Sequence, residues 1–238
     1  MRPTMTPHRW WAMSRTSASK HGRTRSLADL PRLLRGERVL LRYPGKRDRA
    51  EFLALKRSNR SFLEPWEATP PDGADLFSEV AFDRLLKTRR SELNHRFVVC
   101  LRDDPERGAA GRIIGQISLG NIVRGAFQSC YVGYWIGQAY AGHGYMSESL
   151  ALVLRFAFED LGLHRAEANI IPRNKPSLGL VKKLGFRYEG TAKRYLRING
   201  RWQDHAHWAI TVEEWRRTSK AGTPGVTSRN LVRSRAST

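Results

Sequence analysis

The sequence predicts a mixed α/β (α+β) domain, and three observations carry that expectation. Short runs rich in β-branched and aromatic residues recur along the chain. One long amphipathic segment, SESLALVLRFAFEDLG (147–162), stands among them. A Gly-x-Gly turn, Gly142 to Gly144, joins a strand-like run directly to that segment. With 238 residues, the chain suits one domain with decorations, or at most two small ones.

The elements follow in order. ERVLLR (37–42) reads as a strand and is followed by a turn at Pro44-Gly45. RAEFLALKR (49–57) sets Phe52, Leu53 and Leu55/Lys56 at helical spacing and reads as a short helix. The stretch SFLEPWEATPPDG (61–73), broken by three prolines, reads as loop around an aromatic residue. A second helix is expected from about residue 75 to 90, with Leu76, Val80, Leu85 and Leu86 broadly on one side. Strands follow at 95–102, 112–119 and 129–136, with 103–111 as a hairpin-type loop. In the long helix, Leu150, Val153, Leu154, Ala157 and Phe158 form the apolar face, and Gly162 suits the C-terminal cap. RAEANII (165–171) is a strand; 174–185 is a short helix with Asn174 as N-cap and Gly185 past its end. Two final strands, 186–198 and 201–212, turn at Asn199-Gly200.

Composition narrows the class. Hydrophobic residues make up 40% of the chain, enough for a proper core. Cys100 and Cys130 both lie in apolar strand-like runs, which predicts buried free thiols and a reducing, cytoplasmic setting. No apolar run approaches the roughly 18 residues of a membrane span, and the N-terminal stretch lacks the apolar segment of a secretory signal. The net charge of +20 is unevenly spread: residues 1–38 hold nine Lys/Arg against two Asp/Glu, and residues 216–238 hold six against none. The expected division is therefore a basic, disordered extension (1–36), a domain (37–215) and a basic, disordered tail (216–238). Such tails either hold the protein near RNA, ribosomes or acidic partners by salt-sensitive attraction, or are merely solvated ends. Met1, Met5 and Met13 each offer a start, and 8–26 shows no periodicity. The histidines are not spaced with cysteine or carboxylate partners in a metal-ligand pattern, so no metal is expected.

The turn at 142–144 sits where a helix N-terminus exposes unpaired N–H groups and a partial positive charge. That arrangement suits a bound phosphate; the plainer alternative is a strand-to-helix connection without a ligand. Three segments decide between them by resemblance. Ala139-Tyr-Ala-Gly142-His-Gly144, Asn174-Lys-Pro-Ser177 and Leu184-Gly185-Phe186, in this order, resemble the acetyl-CoA loop (Q/R-x-x-G-x-G/A), the N-x-x-S element and the helix-to-strand turn of the GCN5-related N-acetyltransferase (GNAT) family. FLEPWE and EGTAKRYLRINGRWQDH are similar to its RimJ/RimL branch, the ribosomal-protein N-terminal alanine acetyltransferases. The resemblance covers roughly residues 37–215. It departs from the family at Ala139, where Gln or Arg is usual and Gln138 stands one place earlier, and at Val181, where many members carry a tyrosine acid.

The resemblance implies a mostly antiparallel mixed sheet, splayed at an acetyl-CoA site, with helices on both faces. It implies transfer of acetyl from acetyl-CoA to the N-terminal α-amine of a protein, foremost a ribosomal one. Transfer to a small amine such as a polyamine or antibiotic, and a non-catalytic ribosome- or RNA-associated role, are the alternatives. Ala141, Gly142, His143, Gly144, Tyr145, Met146 and Ser147 would cradle the pyrophosphate, mainly through main-chain amides. Backbone groups of Tyr134, Trp135 and Ile136 would pair with the pantetheine arm, and one of their N–H groups could serve the developing oxyanion. Asn174 either only caps its helix or also touches the pantetheine or acetyl region. Ser177 is the expected acid for the leaving thiolate, against the reading of an ordinary helix-surface serine. Trp66, Glu67 and Tyr195, with Trp202, are expected to wall the acceptor groove. The base stays open among Glu64, Glu67, Glu189, Asp204, His205 and water alone. An α-amine, with a pKa of about 7.7–8.0, is already partly neutral, whereas a lysine amine near 10.4 is not.

Overall fold

Alternation along the strands sorts the apolar residues onto two faces of one sheet. The computed structural model describes residues 26–70, 72–102 and 108–220. Its strands are β1 (Leu33–Arg35), β2 (Val39–Arg42), β3 (His95–Leu101), β4 (Arg112–Val123), β5 (Ser129–Ile136), β6 (Arg165–Ile170), β7 (Arg187–Ile198) and β8 (Arg201–Thr211). They lie side by side in numerical order, except that β8 sits between β6 and β7. Every neighbouring pair is antiparallel but one, β5 with β6.

The helices are α1 (Arg49–Ser58), α2 (Arg60–Leu63), α3 (Glu79–Thr88), α4 (Tyr145–Arg155), α5 (Lys175–Lys183) and α6 (Val212–Lys220). Val39, Leu41, Phe97 and Val99 face one side, packing with Leu150, Val153 and Leu154 of α4 and with Trp215 of α6. Their neighbours Leu40, Val98 and Cys100 face the other, against Phe52 and Leu53 of α1 and Phe82 and Leu85 of α3. Each such side chain contributes about 1.5–3 kcal/mol on full burial, so these two apolar layers are what fix the helices to the sheet. The mostly antiparallel mixed sheet with helices on both faces is thus the expected one. Cys100 and Cys130 are buried free thiols, as their apolar surroundings predict. Among the described residues, no helix is long and apolar enough to cross a membrane.

Several boundaries differ from expectation, each for a physical reason. The folded chain begins before residue 37: a tight hairpin, closed by Gly36 N donating to Val39 O at 2.8 Å, lays β1 against β2 and buries Leu34. Polar neighbours hide this three-residue strand. The domain also continues past 215, because α6 runs to Lys220. Thr211 and Glu214 cap it reciprocally, with Thr211 N donating to Glu214 Oε2 at 2.9 Å and Glu214 N to Thr211 Oγ1 at 3.4 Å. The expected loop at 61–73 holds helical structure, in α2 and a 3-10 turn over Glu64–Trp66, with Pro65 at a first-turn position that needs no N–H. The helix expected from 75 starts at Glu79 because the Ser78 side chain caps it, accepting from Ala81 N at 3.2 Å. The long helix passes into a π-turn over Phe156–Asp160 before Gly162. The tails up to residue 25 and from 221, and residues 103–107 of the expected hairpin loop, lie outside the described residues.

Candidate active site

The parallel pair is short. β5 and β6 are joined only at Ser129↔Arg165, Cys130↔Ala166 and Tyr131↔Glu167. Beyond them β5 stays with β4 as far as Ile136↔Gly115, while β6 stays with β8 as far as Ile170↔Ala206. A cleft of about 750 Å³ opens between them, lined on one side by Tyr134, Trp135 and Ile136 and on the other by Asn169, Ile170 and Ile171. Among the described residues, no strand lies beside the edge of β5 that faces β6 here, so its main-chain groups need water or a ligand.

At one end of the cleft, β5 runs into the Gly-rich turn. Asn59 of the α1–α2 junction anchors that turn: Gln138 N donates to Asn59 Oδ1 at 2.7 Å, and Asn59 Nδ2 donates to Leu55 O at 2.8 Å. Gly142 and Gly144 have φ of +80° and +83°, a region that costs other residues roughly 1–2 kcal/mol. A Cβ built on Gly142 would meet nothing within 4 Å, so backbone conformation, not crowding, demands glycine there. Gly144 is the N-cap of α4, and its carbonyl accepts from Glu148 N at 3.1 Å. The amides of Tyr145, Met146 and Ser147 therefore precede the first helical bond and are available to an anion.

Of the residues expected around that anion, Ala141, Gly142, Gly144, Met146 and Ser147 line the cleft. The side chains of His143 and Tyr145 do not; they stack on each other at 5.9 Å, and His143 Nδ1 lies 2.9 Å from Ala141 O. Two residues missed in the sequence hold this turn. Glu148, buried on α4, accepts from Arg38 N at 2.9 Å, Val39 N at 3.3 Å and Arg38 Nε at 3.1 Å. Arg38 Nη1 in turn donates to His143 O at 3.0 Å, and its guanidinium lies 5.0 Å from the Tyr145 ring centroid. A glutamate inside an apolar helical face was the available signal.

On the far side, α5 presents Asn174 and Ser177 to the cleft. Asn174 caps the helix, its Oδ1 accepting from Ser177 N at 3.2 Å. Ser177 Oγ lies 2.6 Å from Tyr134 Oη across the parted strands. Val181 is fully buried in the core, so that position offers nothing to the cleft.

The opposite end is built by side chains. Trp66 and Glu67 line it, together with Phe62, Ala68 and His205. The loop bearing them is stitched to the last hairpin: Thr69 N donates to Arg197 O at 2.8 Å, Asn199 N to Glu67 O at 3.2 Å, and Gly200 N to Thr69 Oγ1 at 2.7 Å. Arg173 covers Trp66, 4.8 Å from its ring centroid. Lys56 Nζ lies 2.9 Å from Glu67 Oε1, near enough for ion pairing but poorly aligned, so this buried oxygen has no hydrogen-bond partner among the described residues.

Tyr195 stands one layer back. Its hydroxyl accepts from Asn169 Nδ2 at 3.3 Å, and its ring packs 4.6 Å from His207, so it supports the wall without lining it. Trp202 is 63% exposed and forms no part of the wall.

The candidate bases separate in the same way. Glu189 is bound by Arg165 and Arg187, which, Arg165 foremost, hold its pKa down to about 2. Asp204 accepts from Arg194 N and Lys193 Nζ, both at 2.9 Å, and these lower its pKa. Glu64 lies 3.8 Å from Arg60 and outside the cleft. Glu67 and His205 remain on it. Burial lowers the pKa of His205, and its Nδ1 lies 3.0 Å from Gln203 O, which assigns the proton to Nδ1 and leaves Nε2 as an acceptor. Among the described residues, no three His, Cys, Asp or Glu side chains gather as a metal site would need.

Comparison with known proteins agrees with this geometry. A family model described as an acetyltransferase (GNAT) domain matches residues 38–187. The [Ribosomal protein uS5]-alanine N-acetyltransferase of Escherichia coli (strain K12) is 36% identical over 180 residues, covering 75% of this chain and 90% of that protein. A probable N-acetyltransferase of Bacillus subtilis (strain 168), YjcK, is 34% identical over 183 residues, covering 75% and 96%. The structure of Mycobacterium smegmatis RimJ in complex with CoA-disulfide superposes with a TM-score of 0.69 at 33% identity, covering 80% of this chain and 93% of that one. The chain therefore belongs to the GNAT family, and within it to the RimJ-like branch of acetyl-CoA-dependent N-acetyltransferases.

Proposed function

We propose that the protein acetylates the N-terminal α-amine of a protein, foremost a ribosomal protein, by direct attack of that amine on the acetyl-CoA thioester. The observation that carries this reading is continuity. One cleft runs from Gly142 and Gly144, past Ser177, to Glu67 and His205. The relative at 36% identity is named for alanine acetylation of ribosomal protein uS5, which supports the choice of acceptor.

The residues divide the work. The amides of Tyr145, Met146 and Ser147 receive the pyrophosphate, and the glycines let it approach the main chain. The free edge of β5 at Tyr134, Trp135 and Ile136 takes the pantetheine arm as an added strand, and one N–H there stabilises charge developing on the carbonyl oxygen. Asn174 both caps α5 and borders the acetyl group. Ser177 gives a proton to the departing sulfur. Glu67 attracts the cationic amine, and Trp66 closes the wall behind it. Little is asked of a base, because an α-amine near 7.7–8.0 is partly neutral at working pH. Glu67 or His205 can pass its proton to water.

The test is turnover of acetyl-CoA with short peptides bearing free N-termini, beside spermidine and an N-terminally blocked peptide carrying lysine. Turnover of the free N-termini alone is expected. Turnover of spermidine alone would reassign the enzyme to small amines.

A further inference from the structure

We propose that Tyr134 is a positioning residue for proton delivery: its phenol donates to Ser177 Oγ and thereby points the serine hydrogen at the sulfur of the thioester. This inference rests on the reading of Ser177 as the acid.

A serine hydroxyl has one hydrogen and two lone pairs, and nothing in its own geometry aims that hydrogen. Asn174 bonds the main-chain N–H of Ser177 and leaves the hydroxyl free to rotate. Among the described residues, Ser177 Oγ bonds only to Tyr134, at 2.6 Å. That bond crosses the opening between β5 and α5, and both residues line the cleft. Either hydroxyl could donate in this bond; the phenol is the stronger acid, which favours it as the donor. With one lone pair of Ser177 Oγ so occupied, the serine hydrogen is directed away from Tyr134 and into the cleft. Burial pushes the Tyr134 hydroxyl up to about 12, so the phenol keeps its hydrogen throughout the working range.

The amine nitrogen forms its bond to the carbonyl carbon, the C–S bond breaks, and its electron pair goes to sulfur. Ser177 Oγ–H supplies the proton to sulfur. The amine's own proton returns through water to Ser177 Oγ. Tyr134 ends with the hydrogen it began with; as negative charge grows on Ser177 Oγ, the bond it donates becomes charge-assisted and shortens. A hydrogen bond to a charged group contributes about 1.5–3 kcal/mol, roughly ten- to a hundredfold in rate.

The experiment is a double-mutant cycle of Tyr134→Phe and Ser177→Ala in the full chain. It reads kcat, KM for acetyl-CoA and Tm with a free-N-terminus peptide. Tyr134→Phe is expected to lower kcat by at least about tenfold, with KM for acetyl-CoA and Tm close to the parent values. In the Ser177→Ala background the same change should cost nothing further. A fluorinated tyrosine at 134, with a more acidic phenol, should bring an alkaline loss of kcat to lower pH; a merely structural ring would not. Unchanged kcat in Tyr134→Phe with a slow Ser177→Ala would overturn the positioning role and leave the acid reading standing. Additive losses would also overturn it, because the two groups would then act separately. Full activity in Ser177→Ala would overturn both.

Discussion

The two ends of the cleft are built from different materials. The end at Gly142 and Gly144 is made of main chain: two left-handed glycines, the open N-terminus of α4 and the unpaired edge of β5. The end at Trp66 and Glu67 is made of side chains on a loop, fixed by hydrogen bonds to residues about 130 positions away. Main-chain recognition depends on backbone conformation and is indifferent to most side chains. Side-chain recognition depends on long-range stitching and can be changed one residue at a time. The first suits a cofactor shared across a family, and the second suits an acceptor that differs from member to member.

That contrast can be broken at either end. The largest effect is expected from Gly142→Val, a β-branched residue at φ +80°. It should weaken acetyl-CoA binding by about thirtyfold, equivalent to about 2 kcal/mol of backbone strain, by calorimetric titration. Retained affinity would mean that the turn does not need its left-handed conformation. At the other end, Glu67→Gln should raise KM for the acceptor peptide about tenfold while acetyl-CoA affinity stays constant. A change in acetyl-CoA affinity instead would show that the two ends are not separable. A smaller loss, severalfold in acceptor KM, is expected from Arg173→Ala, which removes a cation–π contact worth about 0.5–1 kcal/mol.

Glu189→Gln sharpens the distinction from outside the cleft and should leave turnover unchanged. Glu189 has its pKa depressed from 4.5 to about 2 by Arg165 first and Arg187 second. The stability it contributes is therefore present above about pH 4.5 and is lost as pH falls toward 2. The variant should show a shallower acid decline in melting temperature across that window. Altered turnover at neutral pH would return Glu189 to the list of bases.

Local signals made one half of this picture legible. Gly142, Gly144 and the periodic run after them announce a turn and a helix within a dozen residues, and Asn174 sits where an N-cap must. The Asn199-Gly200 turn likewise marked the final hairpin. What the sequence hid is non-local or short. The pairing of Ala68 with Ile198, the hold of Glu148 on Arg38, and the meeting of Tyr134 with Ser177 join residues between 43 and 130 positions apart. No periodicity encodes such contacts. β1 escaped because three residues cannot show an alternation, and α2 because prolines beside it read as breakers. The missed start of α6 is different: T-V-E-E at 211–214 carries a capping-box signal in plain view.

The three-rung joint between β5 and β6 has a consequence for how the molecule comes apart. Among the described strands, five lie on one side of it and three on the other; three rungs join these two panels edge to edge, and one apolar core with α4 and α6 ties them from beneath. Amides along the gap should exchange with deuterium at a lower opening cost than those at the three rungs. A molecule lying in the gap would have Tyr134, Trp135 and Ile136 on one side and Ile170 and Ile171 on the other. Bound to the folded state alone, it would add about 2.7 kcal/mol of stability at a hundred times its Kd. The sheet is thus closed across its width at only three rungs, and the gap beyond them is where a bound molecule would add most to its stability.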